Sequence, residues 1–61
     1  MSMLIELFGF EVMSKSFAEI KDLIATLPVD RKSRKSLLLK EIAQIRGIEL
    51  IGKDFADIGV Y

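Results

Sequence analysis

Ser16-Phe17-Ala18-Glu19 fixes the start of a helix. The Ser16 hydroxyl is placed to accept from the N–H three residues on, and Glu19 can reach back to the N–H of Ser16, which is the reciprocal arrangement of a capping box. Phe17, Ile20, Leu23, Ile24 and Leu27 then recur at spacings of three and four as one apolar stripe, with Glu19, Lys21, Asp22 and Thr26 left for water. Pro28 ends the helix, because proline supplies no N–H and turns the preceding residue away from helical geometry. The rest of the chain has to be arranged around this helix.

A second helix follows. Asp30 or Ser33 can cap it, and both obey the N-cap preference. Gly47, directly after Arg46, is a natural left-handed stop. Between them Leu38, Ile42 and Ile45 form the centre of a buried face, widened by Leu39 and Ala43, with Ser36, Lys40 and Gln44 opposite. The tight connection at Pro28, Val29 and Asp30 makes the pair a helical hairpin.

The flanks carry one pattern twice: Ile5-Glu6-Leu7-Phe8-Gly9 and Ile48-Glu49-Leu50-Ile51-Gly52. Residues 4–12 are rich in β-formers (Ile5, Phe8, Phe10, Val12), and Gly9 in their midst suggests a bulge. Residues 48–51, bracketed by Gly47 and Gly52, have the length of a strand. As strands, both copies place isoleucine and leucine on one face and glutamate on the other, and would pair with each other or with a second chain. The expected fold class is therefore α+β, ordered strand, helix, helix, strand (β-α-α-β) and completed by dimerisation. Residues 53–61 read either as a short helix around 54–58 or as an edge strand. Residues 1–61 form a single small domain, with disorder expected at 1–2 and 59–61.

With 61 residues, no cysteine and no histidine, the chain has neither a disulfide nor the usual ligands of a zinc or iron–sulfur centre. A domain this small buries only about 60% of the surface that its unfolded form exposes. Half of its residues (51%) are nonetheless apolar, so a homodimer or a protein complex is expected to cover the surplus. No uncharged run approaches the roughly 20 residues of a membrane-spanning helix, and Glu6 interrupts the first apolar run, so neither a membrane span nor a signal peptide is read. The cytoplasm is the expected location.

Gly47 to Asp54 nearly repeats the phosphate-binding loop G-x-x-x-x-G-K-[ST]. The pattern fails at Asp54, where a hydroxyl should hold magnesium and a carboxylate would repel phosphate. No nucleophile-and-base frame exists without histidine or cysteine. Asp54 and Asp57 share a helical face, a pairing far more common on solvated surfaces than at cation sites. No enzyme activity, cofactor or metal is expected.

Arg31, Lys32, Ser33, Arg34 and Lys35 form a basic turn at the start of the second helix, where cations oppose the helix dipole at about 0.3–1 kcal/mol each. With free N–H groups and hydroxyls beside them, these five residues suit phosphate. The order strand, helix, helix and the run from Ser33 to Ile45 resemble the ribbon-helix-helix DNA-binding regulators. That resemblance implies a dimer whose paired N-terminal strands read the major groove, while the start of the second helix, here Ser33 and its basic neighbours, holds phosphate. The strand here is apolar on both faces, without base-reading donors, and suits protein contact better. Two functions are therefore expected. One is a small dimeric nucleic-acid-binding regulator working through Arg31, Lys32, Ser33, Arg34 and Lys35. The other is a protein-binding inhibitor or adaptor, or a structural subunit, using Ile5, Leu7, Phe8, Phe10 and Val12 as partner interface with Tyr61 beside them.

Overall fold

The capping box forms as the sequence dictates. In the computed structural model, which describes residues 2–60, the N–H of Glu19 donates to Ser16 Oγ at 3.2 Å and the N–H of Ser16 donates to Glu19 Oε1 at 3.3 Å. The helix they open, α2, runs Phe17–Ala25 and buries Ile20 and Ile24. Past it, the N–H and hydroxyl of Thr26 both donate to Leu23 O, and Pro28 turns the chain into a 3-10 turn, Val29–Arg31. The next helix, α3, spans Lys32–Arg46. Neither Asp30 nor Ser33 caps it. The 3-10 turn leads directly into α3, so Arg31 occupies the N-cap and no side chain covers the first N–H groups. At the far end Gly47 takes φ 66°, and the N–H of Ile48 closes on Ala43 O at 2.8 Å.

The expected β-α-α-β fold is overturned, because among the described residues there is no strand. Residues 3–8 form a helix, α1 (Met3–Phe8), ended by Gly9 at φ 85°, and a 3-10 turn over Phe10–Ser14 completes the segment read as the first strand. Five residues with apolar positions at Leu4, Ile5 and Phe8 satisfy helical spacing as well as alternation. The choice is made by Ser2, whose Oγ accepts from Ile5 N–H, and by Glu41 of α3. Glu41 Oε1 accepts from Leu4 N–H and from the Ser2 hydroxyl, both at 2.8 Å, and Oε2 accepts from Met3 N–H at 3.2 Å. A helix of six residues has little stability of its own, so this carboxylate at its positive end is a large part of its support.

Residues 48–51 form neither helix nor strand, and Ile51 is extended at the entry to the next helix. The N–H of Ile48 is taken by the Gly47 closure, and the N–H of Ile51 donates to Asp54 Oδ2 at 3.0 Å as the next helix begins. That helix, α4 (Gly52–Asp57), settles the ambiguity of residues 53–61 in favour of helix. Met1 and Tyr61, two of the positions where disorder is expected, lie outside the described residues.

The core is closed by elements of one chain. Leu4, Val12, Ile20, Ile24, Leu38, Leu39, Ile42 and Ile58 form a single buried cluster, sealed by half-buried Phe8, Phe17, Leu23, Leu50 and Phe55. The radius of gyration, 10.4 Å, matches the about 10.5 Å expected of a compact domain of this length. Ile45 departs from its expected place in the core and is 53% exposed. The buried stripe of α3 runs through Lys35, Leu38, Leu39, Ile42 and Ala43, and Ile45 lies at its margin.

Charged side chains fasten the flanking segments to this hairpin. The Arg46 guanidinium donates to Met13 O and Lys15 O, tying down the chain between α1 and α2. Lys21 Nζ lies 3.0 Å from both Asp54 and Asp57 and holds α4 against α2. The two aspartates that resemble a cation pair are thus partners of a lysine. Asp57 and then Asp54 raise the Lys21 pKa above its usual value. The N–H of Ile51, then Lys21, lower that of Asp54.

Candidate functional site

The basic turn is built by the elbow between α2 and α3. Pro28 ends one direction of travel, the 3-10 turn carries Arg31 round the corner, and α3 starts at Lys32. Arg31, Lys32, Ser33 and Arg34 are all exposed. Among the described residues none of the three cations has a carboxylate within ion-pair distance. Glu19 and Glu41 are engaged elsewhere, Glu19 capping α2 and Glu41 holding the start of α1, and exposed Asp30 and Glu6 do not close to ion-pair distance. Burial pushes the Glu41 carboxyl up, but the N–H of Leu4, the Ser2 hydroxyl and the N–H of Met3 together outweigh it and hold its pKa below the ordinary value. Glu19 is likewise lowered, by the N–H and hydroxyl of Ser16.

Lys35 is not part of this surface. It is 2% exposed, and its Nζ donates to Ile58 O at 3.0 Å and to Ala25 O at 3.4 Å. These carbonyls belong to the C-terminal ends of α4 and α2, where helices leave acceptors unpaired and where a positive charge is favoured. The lysine's methylene stem fills core space while its ammonium serves two helix ends. Gly59, at φ +84°, lies close by, and a Cβ built there would stand 3.4 Å from the ammonium. The sequence does carry a signal for this inward position, since Lys35, Leu38, Leu39 and Ile42 follow one another at helical spacing and all four are buried.

The interface residues expected from the sequence divide. Val12 is in the core, 1% exposed, and Ile5 and Phe8 pack half-buried against it. Phe10, 78% exposed, stands out from the corner that follows Gly9, and Leu7 is 45% exposed. Tyr61 lies outside the described residues.

Leu7 is the residue that joins the two sets. α1 starts at Glu41 and runs antiparallel to α3, which brings Leu7 level with the start of α3. There Leu7, Leu27, Pro28, Arg31 and Arg34 line a cleft of about 250 Å³. Three apolar residues and two arginines line it, and the lining surface is mainly apolar. Sequence reasoning places Arg31 and Arg34 on a surface but misses Leu27 and Pro28 as partners, because both read fully as the end of α2. Leu37, one turn beyond Arg34 and also exposed, continues the apolar surface along α3.

Among the described residues no helix is long and apolar enough to cross a membrane. Comparison of the chain with protein-family models, curated proteins and solved structures finds no significant match.

Proposed function

We propose that this chain is a small protein-binding module, an inhibitor or adaptor, that engages its partner at the cleft of the α2–α3 elbow. One observation carries this reading: apolar walls from Leu7, Leu27 and Pro28 adjoin Arg31 and Arg34, which have no carboxylate partner among the described residues. Protein surfaces combine apolar and charged groups in this way, and arginine is enriched where they meet. The cytoplasm is the proposed location, a reducing compartment that suits a chain without cysteine.

A second reading, the nucleic-acid-binding regulator, rests on the consecutive exposure of Arg31, Lys32, Ser33 and Arg34 at a helix start that no side chain caps. It is the weaker reading for three reasons: Lys35 is withdrawn into the core, no ribbon exists among the described residues, and a formal net charge of zero gives little steering towards nucleic acid. Fluorescence anisotropy of a labelled mixed-sequence duplex at about 50 and about 200 mM salt separates the two, because several phosphate contacts lose orders of magnitude in affinity over that range. The protein-binding reading expects no saturable binding at either salt. Steep, salt-sensitive binding abolished by Arg31→Ala with Arg34→Ala would replace it with the phosphate reading.

A further inference from the structure

The cleft also indicates what kind of partner it takes. Building on the protein-binding reading, we infer that its occupant is an acidic segment of a partner protein, with an apolar side chain inserted between Leu7, Leu27 and Pro28 and carboxylates set against Arg31 and Arg34. The first ground is charge. Arg31 and Arg34 line one small site, and among the described residues no carboxylate comes within ion-pair distance of either, neither exposed Asp30 and Glu6 beside them in sequence nor Glu19 and Glu41, which are committed to helix ends. Guanidinium pairs with carboxylate through two parallel hydrogen bonds, a geometry that selects for planar anions as well as for charge.

The second ground is size. At about 250 Å³ the cleft lies below the about 300–1,000 Å³ typical of sites that enclose a whole small molecule. It suits one anchoring side chain delivered by a longer ligand. A free phosphate or a nucleic-acid backbone would satisfy the arginines and leave the apolar walls uncovered.

The third ground is the surface beyond the cleft. Leu37 lies one turn past Arg34, about 4.5 Å further along the α3 axis, so the order met by a ligand is apolar, cationic, apolar. A segment with a carboxylate between two apolar residues matches that order, and a short amphipathic helix presents it at a spacing of three or four residues. Asp30 and Glu6, both exposed and adjacent in sequence to cleft residues or to Leu7, would disfavour an overlong acidic run and confine the carboxylates to the arginines.

Selection of a random-peptide library on the intact chain, followed by anisotropy titration of the labelled selected peptides, tests the inference. The expected result is enrichment of Asp or Glu flanked by Leu, Ile, Phe or Met. Affinity should then fall about tenfold or more in Arg31→Glu with Arg34→Glu, and change by less than about threefold in Lys32→Glu, which lies outside the cleft lining. Both variants alter exposed side chains, and circular dichroism verifies that they fold. Selected peptides without acidic enrichment that are lost on Leu7→Lys would overturn the acidic partner while leaving the protein-binding reading in place. Peptides that bind the Arg31→Glu, Arg34→Glu variant as tightly as the parent chain would place docking elsewhere and overturn the inference. No saturable peptide at all, with salt-sensitive duplex binding instead, would remove the reading and the inference together.

Discussion

Replacing Glu41 by alanine removes one carboxylate and strands three donors: the Ser2 hydroxyl at 2.8 Å, the N–H of Leu4 at 2.8 Å and the N–H of Met3 at 3.2 Å. Hydrogen bonds to a charged acceptor contribute about 1.5–3 kcal/mol each, but they are not additive, and water can reach the partly buried start of α1. A loss of about 2–3 kcal/mol is expected for Glu41→Ala and about half that for Glu41→Gln, which keeps one acceptor oxygen. A chain of 61 residues has a total stability of about 3–9 kcal/mol, so the alanine variant forfeits a large share. In a domain this small each kcal/mol shifts the melting temperature by about 4–8 °C. Urea unfolding followed by circular dichroism at neutral pH measures the difference directly. The pH dependence supplies an independent check. Because the folded Glu41 pKa is lowered, its contribution is fully present above the ordinary carboxylate value and is lost as pH falls through the lower folded value. The gap between the parent chain and Glu41→Gln should therefore be flat at neutral pH and close on acidification. A Glu41→Ala change below about 0.5 kcal/mol, the range of an ordinary surface substitution, would refute the account of how α1 is held.

Lys35→Ala should cost about 2–5 kcal/mol in the same unfolding assay, as a core truncation does, and should leave cleft affinity unchanged; a folded, fully stable variant with weakened ligand binding would restore Lys35 to the surface. Ser16→Ala is expected to cost about 1 kcal/mol by loss of the α2 cap, whereas Ser33→Ala, which removes no cap, should stay within about 0.5 kcal/mol. Acidification should also release α4, since the lowered Asp54 pKa means that its support is present above the ordinary aspartate value and fades as pH falls through the folded one; loss of amide protection in residues 52–58 ahead of residues 17–25 reads this out. If a homodimer forms, the exposed Leu37 and Ile45, on one face of α3, are its expected seam, and Leu37→Lys with Ile45→Lys should convert a sedimenting dimer to monomer; a dimer unaffected by both changes rules out that seam.

The two Ile-Glu-Leu-apolar-Gly stretches show where the sequence is and is not sufficient. Within five residues the pattern is compatible with alternation and with helical spacing, so the stretch does not determine its own conformation. The first copy becomes helix because Ser2 caps it and because Glu41, distant in sequence, supplies the anion at its start. The second stays outside helix and strand, with its first N–H claimed by the Gly47 closure and the N–H of Ile51 by the Asp54 cap. The α2 capping box, the Pro28 break and the Gly47 stop are local devices and can be read from adjacent residues. The all-helical fold depends on tertiary partners and cannot. The same distinction applies to the site: Arg31 and Arg34 are visible as charge, but the cleft exists only when α1 folds antiparallel to α3 and brings Leu7 beside Leu27 and Pro28. Lys35 is the exception, since its place in the buried stripe is legible, and the general preference of lysine for water masks it.

Lys35 and Glu41 stand on the same helix and bind the segments at opposite ends of the chain, Glu41 the start of α1 and Lys35 the carbonyl of Ile58. α3 therefore works as a clasp between the two flanks of the hairpin: the anion of Glu41 collects the first donors of α1, and the cation of Lys35 collects the last acceptors of α2 and α4. A change at either residue is felt at a segment far from it in sequence, because each flank is held through α3 and not by its own neighbours.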